Sequence, residues 1–378
     1  MKTIIQIQDR IEEPLVADWE RLARQTQASP FLWPEWISAG WNAFGAGQLW
    51  IITAYENGRL TGVLPLRRSH GALSSATNLE TPLFGFLATS ELVVKQLSHA
   101  LFSEKPRRVD LSYFYPTDAE VSLAHAAADA AGYRTYADSV QAAPYITIDR
   151  AWDEYESGLR RKFRSELRRR RRRLEEEGRV TLEVSDGTER LDKLLEEGFR
   201  VEGAGWKGDY GTSINSHPAT HRFYTDAAHW AAERGWLRLA FLRLNGRALA
   251  FDYCLEYNGT HYLLKTGYDP VYRKLGVGMI IRYLMLARAF SEGLATYDFL
   301  GMRADYEWKR EWTDRQQERL FLRMFASTVL GSLDQAVSVS GQAALERAKR
   351  LARSPIFGER GYHMLRRYNA AVRARLSR

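Results

Sequence analysis

The stretch whose reading decides the fold is Tyr268-Asp269-Pro270-Val271-Tyr272-Arg273-Lys274-Leu275-Gly276-Val277-Gly278-Met279-Ile280-Ile281. Two strand-like runs joined at Asn258-Gly259 precede it, and a helical pattern with Ile280, Leu284, Ala287 and Phe290 on one face follows it. Arg273, Gly276 and Gly278 thus open a helix with the spacing Arg-x-x-Gly-x-Gly, where backbone N–H groups and the positive helix end can meet an anion such as a pyrophosphate. Glycine lets the backbone approach a phosphate without a Cβ in the way, and Arg273 adds a charge-assisted hydrogen bond. A dinucleotide-binding turn is the competitor, with Asp298 at a strand end about twenty residues further on. It fails because Ile281 holds the third glycine position and because tight Asn-Gly hairpins make the preceding strands antiparallel, leaving no βαβ unit.

Working outward towards the N-terminus, strands are predicted at Thr260 to Tyr268, Ala248 to Glu256 and Trp236 to Leu244, with a helix from 218 to 233 before them. The segment from Gly205 to Ser213 is rich in glycine and aromatic residues around Lys207 and reads as a functional loop rather than a connector. A helix from about Thr188 to Ala204 and a strand near Val180 to Val184 come before it. Residues 151 to 178 read as one long helix; ten of the fourteen residues from Arg160 to Arg173 are basic. Its stripe of Leu159, Phe163, Leu167 and Leu174, with Glu175, Glu176 and Glu177 close by, favours a packed helix with internal ion pairs over a nucleic-acid helix.

The first half repeats this plan. Helix signals cover about 13 to 44, a hairpin runs from Leu49 to Leu66 around Asn57-Gly58, and helices near 91 to 102 and 117 to 131 flank an extended run from Arg108 to Tyr113, with Tyr145 to Ile148 extended again. Asn57-Gly58 and Asn245-Gly246, like Asp110-Leu111 and Asp298-Phe299, are 188 residues apart, which argues duplication. At that offset Gly85, Ala88 and Ser90 stand where Arg273, Gly276 and Gly278 stand in the second half, so the first half lacks the phosphate turn. After the turn helix come a strand from Ala295 to Leu300 and a last extended run from Arg319 to Phe325.

Composition bounds the rest. At 378 residues and 45% hydrophobic content the chain can bury a substantial core and suggests two or three domains. No run approaches a membrane span and the first ten residues lack a signal-peptide core, so a cytoplasmic location is expected. The single cysteine, Cys254, reads as a small buried side chain. His217 and His221 have the spacing of a helical zinc pair but no adjacent glutamate, and Ser216-His217-Pro218 reads as a helix cap, so no metal is expected. From Ala343 to the end there are ten Arg or Lys and two Glu, the whole formal excess of +8. Tail helices carrying Leu345, Ala348, Leu351, Met364, Leu365 and Tyr368 would be amphipathic, with an anionic membrane surface as a possible partner.

These residues resemble a family. A helix, antiparallel strands, an Arg-x-x-Gly-x-Gly turn opening a helix and a further strand are similar to the acyl-CoA-binding core of the GNAT acyltransferases, and the tandem repeat resembles the Fem-type double-GNAT proteins. Trp206-Lys207-Gly208, Gly211-Thr212, Phe223-Tyr224, Tyr268-Asp269-Pro270, Asp298 to Gly301 and Lys309-x-x-Trp312 resemble the CelD/BcsL-type acetyltransferases associated with cellulose and exopolysaccharide loci. Those relatives often carry proline where this chain has Leu275.

The resemblance implies a layered α/β (α+β) fold. It has tandem GNAT-like domains with mixed, mainly antiparallel sheets at 1–150 and 151–325, and a basic helical tail at 326–378. It implies acetyl-CoA or another acyl-CoA held by Thr266, Gly267, Tyr268, Arg273, Lys274, Gly276, Val277, Gly278 and Met279, with backbone N–H groups near Lys265 to Tyr268 polarising the thioester. An amine of a small molecule or saccharide would attack directly. The base that takes its proton would be Asp298, Glu202 or Asp252, with Asp298 favoured as the residue ending the strand beside the site. Tyr306, and after it Tyr268, would protonate the leaving thiolate, Lys309 would hold an acidic group or the oxyanion, and Trp206, Lys207 and Tyr210 would meet the acceptor. The other classes are aminoacyl transfer from tRNA and an inactive accessory protein of polysaccharide synthesis.

Overall fold

Three Asn-Gly pairs set the hairpins. Asn57-Gly58, Asn245-Gly246 and Asn258-Gly259 all have positive φ at both residues, 50°/76°, 50°/84° and 47°/70°, the geometry whose twist matches that of paired strands. The computed structural model describes residues 3–78, 80–114, 118–209, 211–301 and 307–338. They divide into two units, Met1–Val140 with Glu318–Arg378, and Gln141–Gln317.

Unit 1 contains β1 (Thr3–Gln8), α1 (Leu15–Gln25), α2 (Pro34–Phe44), β2 (Gln48–Glu56), β3 (Arg59–Ser69), β4 (Ala72–Ser75), β5 (Leu87–Ala88), α3 (Glu91–Ala100), β6 (Arg108–Phe114) and α4 (Asp118–Ala130). The strand β7 (Tyr133–Thr147) leads into unit 2, which holds α5 (Trp152–Gly158), α6 (Arg161–Glu176), β8 (Val180–Ser185), α7 (Leu191–Gly203), α8 (Trp206–Asp209) and α9 (Pro218–Glu233). It continues with β9 (Leu237–Leu244), β10 (Arg247–Tyr257), β11 (Thr260–Tyr268), α10 (Val277–Ser291), β12 (Thr296–Asp298) and α11 (Glu307–Arg310). The described residues end in unit 1 with β13 (Gln316–Ala326) and a helix, α12, over 329–338.

The two sheets have one plan. Unit 1 runs β1-β2-β3-β4-β6-β13, with β4 and β6 parallel and the other neighbours antiparallel. Unit 2 runs β8-β9-β10-β11-β12-β7, with β11 and β12 parallel and the other neighbours antiparallel. Even the irregularity repeats: the β2–β3 pairing skips Thr61 and the β9–β10 pairing skips Leu249, residues 188 apart. The fold is a mixed α/β duplication. Both units close their sheets with a strand from beyond the repeat: β13 pairs with β6, and Tyr145–Thr147 of β7 pair with β12.

Each unit has its own core. In unit 1 Leu64, Leu66, Leu97, Leu111, Phe114 and Met324 are buried together, and in unit 2 Leu167, Leu242, Leu249, Ile281, Met285 and Trp312 are. Trp19, Phe31, Trp33 and Trp36, the apolar anchors expected near the N-terminus, are all buried.

Three sequence expectations change. The single helix expected at 151–178 is two, because Leu159 and Arg160 adopt extended ψ values of 150° and 130° after Gly158, a weak helix former. Leu159 is buried nonetheless, with Phe163, Leu167 and Leu174. On α10 the buried face is Val277, Ile280, Ile281, Met285, Leu286 and Ala289, while Leu284 and Ala287 are only half-buried. The strand expected at 295–300 stops at Asp298 because Leu300 turns to φ 42°. The tail helices expected beyond 339 lie outside the described residues.

Candidate functional site

β11 pairs with β12 only from Thr260↔Thr296 to Tyr262↔Asp298, and from Leu263 to Tyr268 its strand partner among the described residues is β10. The β10–β11 ladder shifts register at Tyr253/Cys254, skipping Leu264 at the start of this open stretch. β11 then delivers the chain into the glycine turn. Asp269 caps it, accepting from Val271 N at 3.0 Å and from Arg247 at 2.9 Å, and a short 3₁₀ segment from Pro270 to Leu275 follows.

Gly276 has φ 69°, a left-handed conformation that glycine adopts without strain, and it starts α10. A Cβ there would lie 2.4 Å from Cδ of Arg170, so Arg170 of α6, paired with Glu166, lies across the turn. In the first turn of α10 the N–H groups of Val277 and Gly278 have no intrahelical acceptor, and Arg273 and Lys274 are exposed beside them. This is a fitting cradle for a diphosphate: donors without a partner in their own helix, a missing Cβ and two cations.

α7 packs directly on the open strand. A Cβ at Gly267 would be 2.4 Å from Cα of Glu202, so glycine is required for this approach. Glu202 is fully buried and committed at both oxygens, accepting from Lys207 Nζ at 2.9 Å and from Ile214 N at 3.0 Å. Lys207 also donates to the carbonyl of Thr266 at 2.6 Å, which places it in the site wall. The geometry therefore brings together Glu202, Lys207, Thr266 and Gly267.

A second buried polar group lies behind β11. Arg282 of α10 is 1% exposed and donates to Asp252 Oδ1 at 2.9 Å, to Thr266 Oγ1 at 3.4 Å and to the Tyr297 hydroxyl. Tyr297 stacks on His261, whose Nδ1 meets Glu256 at 2.8 Å, and Glu256 is also paired with Arg238 and Arg288. Burial outweighs Glu256 and keeps the His261 pKa below its ordinary value. Sequence alone singles out none of Arg282, Tyr297, His261 or Glu256 as a site residue. The available signal was Arg282 itself, an arginine within the apolar run from Val277 to Leu286.

Asp298 ends β12 with its Oδ1 accepting from Leu300 N at 2.7 Å, which holds Leu300 in its left-handed conformation. Lys309 is 5% exposed and donates to the carbonyls of Phe299, at 3.0 Å, and Leu300. Burial brings its pKa down from 10.5 to about 7; the charges of Arg282 and Lys207 act in the same direction and that of Asp298 opposes them. Arg282 and Lys309 both approach the Trp308 ring, at 5.8 and 5.7 Å from its centre.

The other named residues fall elsewhere. His217 caps α9 and His221 packs edge-on against Phe199, and among the described residues no cluster of His, Cys, Asp and Glu could hold a metal. Cys254 is buried and free. Tyr306 and Tyr210 lie outside the described residues, as does the side chain of Trp206.

Residues 161–310, all within unit 2, match the model of the Acetyltransferase (GNAT) domain. Unit 2 carries a GNAT acyltransferase domain. GNAT domains use acyl-CoA, and the cradle at Gly276 to Met279 lies inside the matched stretch. No curated protein matches the chain. Among solved structures the chain is similar in fold to FemX, with 13% identity, a TM-score of 0.58 and coverage of 89% of this chain and 100% of that one. It is also similar to the C-terminal DUF2156 domain of a candidate lysylphosphatidylglycerol synthetase from Agrobacterium fabrum, with 13% identity, a TM-score of 0.52 and coverage of 87% and 95%. Both likenesses extend over most of the chain, as a fold repeated across the two units requires.

Proposed function

We propose that the chain is a CoA-dependent N-acyltransferase that moves an acetyl or longer acyl group to an amine of a small molecule, amino sugar or polysaccharide precursor, by direct transfer in a ternary complex in the cytoplasm. The observation that carries this reading is the open stretch of β11 from Leu263 to Tyr268 running straight into the Gly276 turn. Acyl-CoA, when bound, supplies the activated thioester. Val277, Gly278 and Met279 hold its pyrophosphate on the first turn of α10, with Arg273 and Lys274 adding charge. Thr266, Gly267 and Tyr268 offer their backbone to the acyl arm, and the N–H groups of Thr266 and Tyr268, which point away from β10, polarise the thioester oxygen.

Of the carboxylates, Glu202 is committed to Lys207 and Ile214 and Asp252 is bound to Arg282, which makes both poor proton acceptors. The Asp298–Lys309 pair is the better base. Lys309 donates to the Phe299 and Leu300 carbonyls and feels the charge of Asp298, and with its pKa brought down to about 7 it can take up or release a proton near neutral pH. Tyr306 remains the proposed donor to the leaving thiolate. The match of Trp206-Lys207-Gly208 and Lys309-x-x-Trp312 to the CelD/BcsL-type pattern supports a saccharide acceptor. The alternative of aminoacyl transfer from tRNA draws on α6, but Arg168, Arg169, Arg170, Arg171 and Arg172 are each paired with a glutamate, which weakens it.

Calorimetric titration with acetyl-CoA and with aminoacyl-tRNA tests the reading. Acetyl-CoA should bind the folded chain, and Gly278→Val and Arg273→Glu should each weaken it at least about tenfold. A Cβ at Gly278 would sit 3.2 Å from the Tyr268 ring, so melting curves must accompany that variant, whereas Arg273 is exposed and its replacement leaves packing intact. Unchanged affinity in both folded variants sinks the proposal, tight binding of aminoacyl-tRNA alone selects the alternative, and acetyl-CoA binding without turnover on any amine points to an inactive accessory protein.

A further inference from the structure

On unit 1, α12 is built the wrong way round for a helix packed on a protein. Its polar residues are the ones bonded to the rest of unit 1: half-buried Asp334 pairs with Arg107 at 3.0 Å, Ser332 accepts from Arg134 at 2.7 Å and half-buried Gln335 bonds the Tyr136 hydroxyl. Its apolar residues face solvent at helical spacing, Val329 at 79%, Leu330 at 60%, Leu333 at 57% and Val337 at 72% exposure, with Ala336 exposed between them. A surface helix ordinarily buries that stripe. Beside it Leu330 borders a cleft of about 300 Å³ whose charged lining is Arg68, Lys105 and Arg107 against Glu104. The cations are set in place: Arg68 stacks on Trp50 at 4.6 Å and Arg107 is held by Asp334. The sequence after α12 carries ten Arg or Lys and two Glu from Ala343 on.

An outward apolar stripe, an adjoining cationic cleft and a basic continuation have one common complement, a surface that is apolar just beneath a layer of negative charge. We propose that this face of unit 1 docks on an anionic phospholipid membrane, with the stripe of α12 entering the headgroup–acyl boundary and a lipid phosphate entering the cleft of Arg68, Lys105 and Arg107. A second copy of the chain is a weaker complement, because like basic segments repel and a stripe of five residues on one helix buries far less than the roughly 1,200 Å² of a stable protein interface. The inference is independent of the acyl-CoA site, since every described residue it uses lies in unit 1.

Flotation of the full chain with vesicles of phosphatidylcholine, with and without about one third phosphatidylglycerol, tests it. The chain should float only with the anionic vesicles, and binding should fall as salt is raised. Leu333→Glu should reduce binding at least about tenfold, and Lys105→Ala about fivefold, the loss of one cation near the surface. Both positions allow substitution without loss of packing, and circular dichroism and acetyl-CoA affinity should match the parent chain. Equal binding to pure phosphatidylcholine overturns the proposal, as does wild-type binding by both variants, which would leave the tail alone responsible. Self-association without vesicles that Leu333→Glu abolishes also overturns it and assigns the stripe to a second copy.

Discussion

Lys309 illustrates how placement alone makes an ordinary side chain reactive. Nothing in Glu307-Trp308-Lys309-Arg310 marks one lysine as unusual, yet burial under the chain reversal at Phe299 and Leu300 brings its pKa to about 7. Between that value and 10.5 the unfolded chain holds the proton that the folded chain has released, so stability should rise with pH across this window and the term should be constant below it. Relative to Lys309→Met, the parent should gain roughly 2 kcal/mol from pH 7 to pH 9, read by urea unfolding at both values. A difference that does not change with pH would mean the amine stays charged when folded. Asp298→Asn should lower turnover by roughly 10²- to 10⁴-fold at nearly unchanged acyl-CoA affinity. Loss of folding instead would make its bond to Leu300 N the main role.

At the scale of elements, the site depends on how closely α7 and α6 approach β11 and its turn. Gly267 faces Glu202 with no room for a methyl, and the same Glu202 bonds Lys207 and the Ile214 backbone. Gly267→Ala should therefore push α7 off the strand, destabilising the chain by roughly 1–3 kcal/mol and weakening acetyl-CoA binding, as denaturant titration and calorimetry would show. An alanine variant of parental stability and affinity would mean the helix can shift without disturbing the strand. α6 differs: its apolar stripe packs inward while Arg168 to Arg172 pair with Glu156, Glu166, Glu175 and Glu176, so part of the charge of a run that looks like a nucleic-acid helix is offset by its neighbours.

Over the whole molecule, the duplication supplies its own control. At the 188-residue offset Asp252 and Arg282 of unit 2 stand where unit 1 has Leu64 and Val94, both buried in an apolar core. The same strand plan is thus stable with an apolar pair in place of the ionic one, so the ion pair is not a requirement of the fold. Asp252→Leu alone leaves Arg282 buried without its carboxylate and should cost roughly 3–5 kcal/mol. Asp252→Leu with Arg282→Val should return to within about 2 kcal/mol of the parent in urea unfolding, while losing the contact to Thr266 in the site. A double variant no more stable than the single one would show that unit 2 depends on the pair for folding.

Local signals determined much of this. Asn-Gly pairs between alternating runs specify hairpins wherever they fall, and a glycine-flanked helix start with a nearby arginine specifies an anion cradle, because turn conformation and helix termini depend on neighbours a few residues away. The repeat was legible for the same reason, since equal spacing of such signals needs no tertiary information. What only the tertiary structure decided is partnership at a distance. Arg282 finds Asp252 thirty positions away, Glu202 is spent on Lys207 and the Ile214 backbone, and Lys309 is stripped of water by a turn whose left-handed Leu300 has no glycine to announce it. β13 completes the sheet of the first unit although it follows the second in sequence. Strand pairing and burial are set by long-range contacts that leave no periodic trace in the chain, so the sequence marks where the cradle is while the fold decides which buried charges face it.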